Sequence, residues 1–435
     1  MAGLGGLFMS NRRKIVIIGA GSAIFGLSMI KDAFSTKELW GSSLVLMDIN
    51  KEAVEKTALA ANRINDVLGA NYEISSTTDR KKALEGADFV IVSIAVDRVK
   101  MWKLDFAIPQ KHGIKHVLGE NVGPGAVFHT MRNLPIFMDI CKDIERICPD
   151  ALLINFTNPE SRLCMAIKKY TKVKAVGLCH QINAGIEIVS TILSINREHI
   201  DVKAWGINHF TWIFDMRDKR TGEDLYPLFR EKEAVYNPEY EKLSRFIFRH
   251  YGLFPTSGDG HLGEFFPYAH ELIPANGYDF EKYEKRRQSV VSVLDGVISG
   301  EIPIDDKLIA PSGEKAFTII NGIVHNTNEL LESVNLPNDG YISNLPADAI
   351  VEVPAVISGH GVNGLAVGEL PRGIAAMCRT QIDIQHLVVE AGVKGNRELV
   401  KQALLTDPNI PSAEAALKIY DELMDINKPY LPQFT

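Results

Sequence analysis

Apolar and polar positions follow two regimes along the chain. From residue 14 to 180, short β-branched runs trade places with segments whose apolar residues recur at helical spacing. Lys14-Ile15-Val16-Ile17-Ile18 reads as a strand, Gly19-Ala20-Gly21-Ser22 turns it, and residues 23–34 read as a helix. A strand over 44–48 and a helix over 51–68 follow. Residues 88–95 are almost wholly apolar, as expected of a strand covered on both faces. A helix over 129–146, a strand over 151–156 ending in Thr157-Asn158-Pro159, and a strand over 173–178 ending at Cys179 complete the series. Strand–helix alternation with short links predicts an α/β fold with a doubly wound parallel sheet.

Beyond about residue 186 the pattern loosens. Apolar runs are less regular, and Gly and Pro cluster at 252–267 and 335–373, which predicts a mixed α+β half with long loops. The expected domains are 1–185 and 186–435, packed closely because no Ser/Gly-rich joint separates them. Residues 1–12 read as a frayed extension, since Met1 to Ser10 lack the basic start of a signal peptide.

Composition narrows the function classes. Of 435 residues, 46% are hydrophobic and 23% charged, which excludes disordered, collagen-like and coiled-coil chains. Forty-seven basic against fifty-four acidic residues give a net charge of −7, against a nucleic-acid partner, which needs a basic face. Lys285-Arg286-Arg287 is the densest basic patch. No apolar run approaches the ~20 residues of a membrane span. Five cysteines without close paired spacing suit a reducing cytoplasm.

Gly19-Ala20-Gly21 follows a strand and opens a helix, so Gly19, Gly21 and Ser22 are candidates to receive a pyrophosphate at a helix N-terminus. The usual third glycine position is Ile24; Gly26 comes two residues later. Asp48 ends the second strand, where a carboxylate accepts ribose hydroxyls and repels a 2′-phosphate, favouring NAD over NADP. A cofactor-free glycine turn with Asp48 as a helix cap, and another nucleotide such as FAD, stay open on these residues alone.

Ligands of an open α/β sheet sit beyond the carboxyl ends of its strands. Asn155, Asn158, Cys179 and His180 fall there, and His209 follows a further apolar strand over 202–207. Cys179 and His209 could hold a divalent metal as thiolate and imidazole, leaving positions open for substrate and water. The alternative is a buried thiol and a core histidine. Asp259, His261 and Glu264 lie in a Gly-rich loop over 256–264, and Glu120 in another over 119–125; either loop presents groups to a cleft or merely turns the chain. Arg286 and Arg287 suit an anionic substrate or a solvated helix face.

Taken together, these residues resemble the NAD- and metal-dependent glycoside hydrolase family 4, related in fold to lactate and malate dehydrogenases. The resemblance runs from about residue 14 to 425. It is carried by Gly19-Ala20-Gly21-Ser22, Asn155-Phe156-Thr157-Asn158-Pro159, Gly177-Leu178-Cys179-His180-Gln181, Gly206-Ile207-Asn208-His209-Phe210-Thr211-Trp212, Gly258-Asp259-Gly260-His261 and Asn335-Leu336-Pro337-Asn338-Asp339-Gly340. It implies a Rossmann-like N-terminal domain with NAD and Mn²⁺ as cofactors. Cys179 and His209 become the metal ligands, and Asn158 lies near nicotinamide and substrate. Asp259 becomes a base and Glu120 a proton donor. Asn155, Asn158, His180, Gln181 and Arg286 are the expected substrate contacts.

Family resemblance also bears on the sugar. Relatives with Glu after the Cys-His doublet look like α-galacturonidases, and those with Gly or Ser favour neutral sugars; Gln181 is neither. His180 argues against the phospho-sugar branches, which carry Asp or Asn there. Gly260 replaces an arginine of galacturonide-type relatives. The expectation is an α-glycosidase for an acidic sugar such as galacturonic or glucuronic acid. The implied route oxidises C3 with NAD⁺, removes the C2 proton with Mn²⁺ stabilising the enediolate, eliminates the leaving group, adds water and returns the hydride. Neutral α-glucosidase, α-galactosidase or sulfoquinovosidase activity is the alternative within this mechanism. An NAD-dependent dehydrogenase of a hydroxy acid or polyol and a non-catalytic NAD sensor are alternatives of another class. A homodimer or homotetramer is expected.

Overall fold

Ile15, Ile17 and Ile91 point to one side of the N-terminal sheet and Val16, Val90 and Leu153 to the other, and all six are fully buried. Helices cover both faces, which is why these strands read as unbroken apolar runs. The computed structural model describes residues 12–434. Strands β1 (Lys14–Ile18), β2 (Ser43–Met47), β3 (Glu73–Thr77), β4 (Phe89–Val92), β5 (Leu152–Asn155) and β6 (Lys174–Gly177) pair in parallel in the order β3-β2-β1-β4-β5-β6. This is the strand order of a dinucleotide-binding Rossmann domain. The extension expected at 1–12 lies, but for Arg12, outside the described residues.

The second half departs from expectation. Strands β7 (Ile200–Ile207), β8 (Phe210–Asp218), β9 (Phe254–Pro255), β10 (Glu329–Pro337), β11 (Ile350–Ser358) and β12 (Gly361–Gly364) extend the N-terminal sheet. β10 pairs antiparallel with β6, and β11, β7, β8 and β9 continue outward, with β12 on β11. Much of 335–373, expected as loop, is therefore strand. β11 reads IVEVPAVIS and is buried almost throughout. Its Gly and Pro neighbours punctuate strands, whereas 252–267 contains only β9 and a one-turn helix. The expected boundary at 185/186 falls inside the helix Gln181–Leu193.

One cross-sheet row fixes the site. Asn155 pairs with Gly177, Gly177 with Asn335, Asn335 with Glu352, and Glu352 with Gly206. Cys179 lies two residues past Gly177 and His209 three past Gly206. The seam between the two halves thus carries both to one edge. No described helix is long and apolar enough to cross a membrane.

Candidate active site

At the β1 end, Gly19 and Ala20 donate to Met47 O, so the turn folds back onto the end of β2. Asp48 Oδ2 accepts the Gly21 N–H at 2.9 Å and Oδ1 the Asn50 N–H at 2.9 Å. A carboxylate has about four lone-pair sites, so two remain for a ribose. Ser22 is the exposed N-cap of the helix Ala23–Ser35, and its side chain makes no capping bond. Gly26 supplies what Ile24 does not. A Cβ there would stand 2.5 Å from Ala20 O, so Gly26 lets the helix close against the glycine turn, the kind of close approach the third glycine of the motif allows.

At the β6 and β7 ends, Cys179 Sγ lies 3.1 Å from His209 Nε2. Cys179 sits between β6 and the helix Gln181–Leu193. The Gln181 N–H and the Asn208 amide both face its sulfur and favour the thiolate, but burial and the Glu352 carboxyl push the thiol well above its ordinary range. His209 forms the β7–β8 turn with Asn208, at φ 61°. Ser257 Oγ donates to its carbonyl at 2.5 Å. Burial, helped by His261 and His180, drives its pKa well below the usual value, so the ring is neutral, the form that binds a metal. Its Nδ1 is buried without a partner. One divalent ion would reach a sulfur and an imidazole nitrogen this close together, and a cation is what would turn this half-buried thiol into a thiolate. The donor set fits a divalent metal.

A second wall faces this pair. Glu120 is buried, with Arg98 Nη2 donating to its Oε1 at 3.2 Å and the Asn158 side chain bonded to it. Burial raises its pKa, against the pull of Arg98. Glu264 Oε1 accepts the backbone N–H groups of Glu120, Asn121 and Val122 at 2.6, 2.8 and 3.4 Å, and its Oε2 lies 3.2 Å from His261 Nδ1. Burial works against charge on His261, but Glu264 and Glu120 outweigh it and raise its pKa. The His261 and His209 rings stand 4.4 Å apart, and with Glu264 they bring three metal-competent atoms within 4.8 Å. Both Glu264 oxygens are already engaged, so this trio reads as a carboxylate–imidazole pair beside the Cys179–His209 pair.

The rim carries charges of both signs. His180 is exposed, 3.4 Å from Glu314, which raises its pKa. Arg286, exposed on the helix Phe280–Ser299, lies close enough to influence His180 and Tyr278. Arg98 rests over Trp102 and Tyr283, 5.3 and 5.6 Å from their ring centres.

Residues 14–195 match the model of the Family 4 glycosyl hydrolases, and residues 204–410 match the model of their C-terminal domain. The chain belongs to family 4 of the glycosyl hydrolases. This hydrolase is 34% identical to an α-glucosidase of Erwinia rhapontici, across 96% of this chain and 98% of that protein. It is 33% identical to an α-galacturonidase of Bacillus subtilis (strain 168), across 91% and 93%. A 6-phospho-α-glucosidase from gut microorganisms, solved in complex with NAD and Mn²⁺, superposes with a TM-score of 0.84 at 21% identity, across 98% and 100%. A malate dehydrogenase of Plasmodium falciparum shares the fold at a TM-score of 0.51 and 14% identity, across 89% and 99%. The expected kinship of fold with that dehydrogenase is borne out.

Three expected site residues of the hydrolase are already engaged in bonds of their own. Asn155 has no exposed surface: its amide accepts the Thr157 N–H and donates to Thr157 O, holding the turn before the cis Asn158–Pro159 bond. Gln181 is buried and offers its backbone N–H to Cys179. Asp259 accepts from Leu243 N, Ser244 N and Ser244 Oγ at 3.1, 2.9 and 2.8 Å, so its carboxylate caps the helix Lys242–Tyr251. Arg98, Glu264 and Glu352 are additions. Glu264 stood in the Gly-rich loop already singled out, but Arg98 lies in the helix Arg98–Lys111, whose apolar spacing is irregular and interrupted by Pro109.

Proposed function

We propose that this hydrolase cleaves α-glycosides of an acidic sugar, such as galacturonic or glucuronic acid, with NAD and Mn²⁺ as cofactors. The chemistry is oxidation at C3, deprotonation at C2, elimination of the C1 leaving group, addition of water and re-reduction. The observation that carries this reading is the 3.1 Å Cys179–His209 pair on the same sheet edge as the Gly19–Gly21 turn. A solved structure that shares this fold holds both NAD and Mn²⁺.

When bound, NAD supplies reversible hydride exchange and the cation supplies Lewis-acid stabilisation of charge on sugar oxygens. The chain's own residues do the rest. Gly19, Gly21 and Ser22 open the pyrophosphate site, and Asp48 offers its remaining lone pairs to a ribose. Cys179 and His209 hold the cation, and Asn158 orients the sugar against Glu120. Burial keeps Glu120 protonated to higher pH than an ordinary carboxyl, which suits a proton donor to the leaving group. Arg286 offers the mouth an exposed cation for a sugar carboxylate, beside Arg98 and His180, which are paired with Glu120 and Glu314. Asp259 shapes the loop that presents His261.

A panel of nitrophenyl α- and β-glycosides, neutral and acidic, assayed with NAD⁺ and Mn²⁺ under reducing conditions, tests this. The expected result is fastest turnover of an α-linked uronide without net NADH. Preference for a neutral α-glucoside, as the name of the E. rhapontici relative suggests, would replace the substrate class. Stoichiometric NADH would replace the hydrolase reading with a dehydrogenase.

A further inference from the structure

A loop at the rim is tied to the helix that opens the candidate pyrophosphate site. Asp32 is buried on that helix, Ala23–Ser35. Its Oδ1 accepts the Ser312 N–H at 2.6 Å and its Oδ2 the Ser312 hydroxyl at 2.6 Å, across 280 positions of sequence. The same hydroxyl accepts the Glu314 N–H at 3.2 Å. On either side of Glu314 the backbone is left-handed, at Gly313 (φ 90°) and at Lys315 (φ 67°). Lys315 carries a side chain, so its conformation costs energy and persists only where neighbours fix it. Glu314 Oε2 then stands 3.4 Å from Nδ1 of His180, with Glu314 partly buried and His180 exposed. Asp32, Ser312, Glu314 and His180 thus run in contact from the cofactor helix to the mouth of the site.

We propose that Ser312 is a positioning residue for substrate binding: anchored on Asp32, it holds Glu314 against His180 and leaves Nε2 of that ring to meet a sugar oxygen. This rests on the reading that His180 contacts the sugar. The two nitrogens of an imidazole are distinct, and the partner of one decides what the other presents. A carboxylate accepts only, so the nitrogen facing it carries a proton, and Nε2 is the one left for the mouth. An exposed histidine without such a partner would have to be ordered by the substrate itself, at a cost in affinity. As an isolated surface pair, Glu314 and His180 would contribute little to stability. What sets them apart is the anchor, a buried carboxylate with two bonds to one serine, which fixes where Glu314 begins. Charge alone would act differently. A carboxylate at the mouth repels an anionic sugar, so losing it would tighten binding of that sugar, whereas losing an orienting partner weakens it.

The test is steady-state kinetics with the glycoside that the wild type turns over best, with NAD⁺ and Mn²⁺ present, alongside ¹⁵N nuclear magnetic resonance of the His180 ring. Ser312→Ala keeps the backbone bond to Asp32 but loses the hydroxyl's bonds to Asp32 and Glu314. It should raise KM about fivefold, the worth of one hydrogen bond, with kcat little changed, as when binding common to substrate and transition state is lost. Glu314→Ala should do the same, and it carries the test should Ser312→Ala fail to fold. Glu314→Gln, which keeps an accepting oxygen, should restore most of the wild-type affinity. Ser312→Ala added to His180→Ala should cost nothing further, because the loop acts through that ring. In the neutral ring the proton should sit on Nδ1 in the wild type and be shared with Nε2 in Glu314→Ala. Wild-type or lower KM in Glu314→Ala, a further loss in the double variant, or an unchanged ring signal in Glu314→Ala would overturn the inference. A wild-type KM in His180→Ala would instead overturn the sugar contact at His180 on which it rests.

Discussion

His209 holds a left-handed backbone at φ 61°, uncommon for a residue with a side chain and costing of order 1–3 kcal/mol. Such strain persists where neighbours over-determine it, and here Ser257 bonds the carbonyl while Cys179 meets the ring. The conformation aims an imidazole at a thiol, which a relaxed turn would not. Cys179→Ser should therefore lose bound Mn²⁺ and turnover yet keep the fold, because a hydroxyl is a far poorer anionic ligand at neutral pH. Elemental analysis alongside circular dichroism checks it, and full metal content in the variant would return Cys179 to a packing role. Asp259 is argued at the same scale. Losing the accepting side chain at a helix N-terminus costs about 1 kcal/mol. Asp259→Ala should lose roughly that stability, and Asp259→Asn, which keeps one accepting oxygen but turns an NH₂ toward the other donors, should lose part of it while the folded protein keeps its turnover. A fall in turnover of ~10²–10⁴-fold in the folded Asn variant would give Asp259 the base role that family resemblance implies.

Elements show why part of the site was legible and part was not. β1, β2, β4 and β5 are buried almost throughout, and β6 at its carboxyl end, so their apolar runs announce them and their ends locate Gly19, Asp48, Asn158 and Cys179. β3, with the sequence EISST, lies at the sheet edge with no fully buried residue, and nothing in its hydropathy marks it. The seam was hidden for another reason. β10 follows β6 by about 150 residues, so their pairing leaves no local trace, and the Glu352–Asn208 contact spans 144 positions. Residue type and spacing cannot tell a free polar group from one filled by a helix end or a turn, so the bonds of Asp259 to Leu243 and Ser244 and of Asn155 to Thr157 left no trace in the sequence. At the glycine turn the element decides specificity. Asp48 is bonded to the Gly21 and Asn50 N–H groups, so it cannot swing away from a 2′-phosphate without releasing the turn. NAD⁺ should bind and NADP⁺ much more weakly by calorimetry, and Asp48→Ala should narrow the gap while weakening NAD⁺. Equal affinities in the wild type would remove this role.

Across the whole molecule, the two halves share one sheet, and the seam holds two buried acids. Glu160 stands against β6 where Gly177 leaves room: a Cβ on Gly177 would lie 1.5 Å from its Oε1. Burial, opposed by a hydrogen bond from Cys164 and reinforced by Glu352, pushes Glu160 up to about 8. Burial pushes Glu352 up to about 7. The ordinary glutamate value is 4.5, so the folded chain binds more protons than the unfolded chain between there and about 7–8. Stability then falls as pH rises across that window. The contribution is fully present below 4.5 and lost as pH passes through the folded values. Asp218, which Arg220 holds well below the usual carboxylate range, acts only in acid and does not confuse the window. Glu160→Gln imitates the protonated acid at every pH. Urea unfolding midpoints at about pH 5 and pH 8.5, at fixed Mn²⁺ and NAD⁺, should drop less in this variant than in the wild type. Equal drops would mean that the Glu160 proton is not gained on folding, and that the seam tolerates a charged carboxylate beside β6.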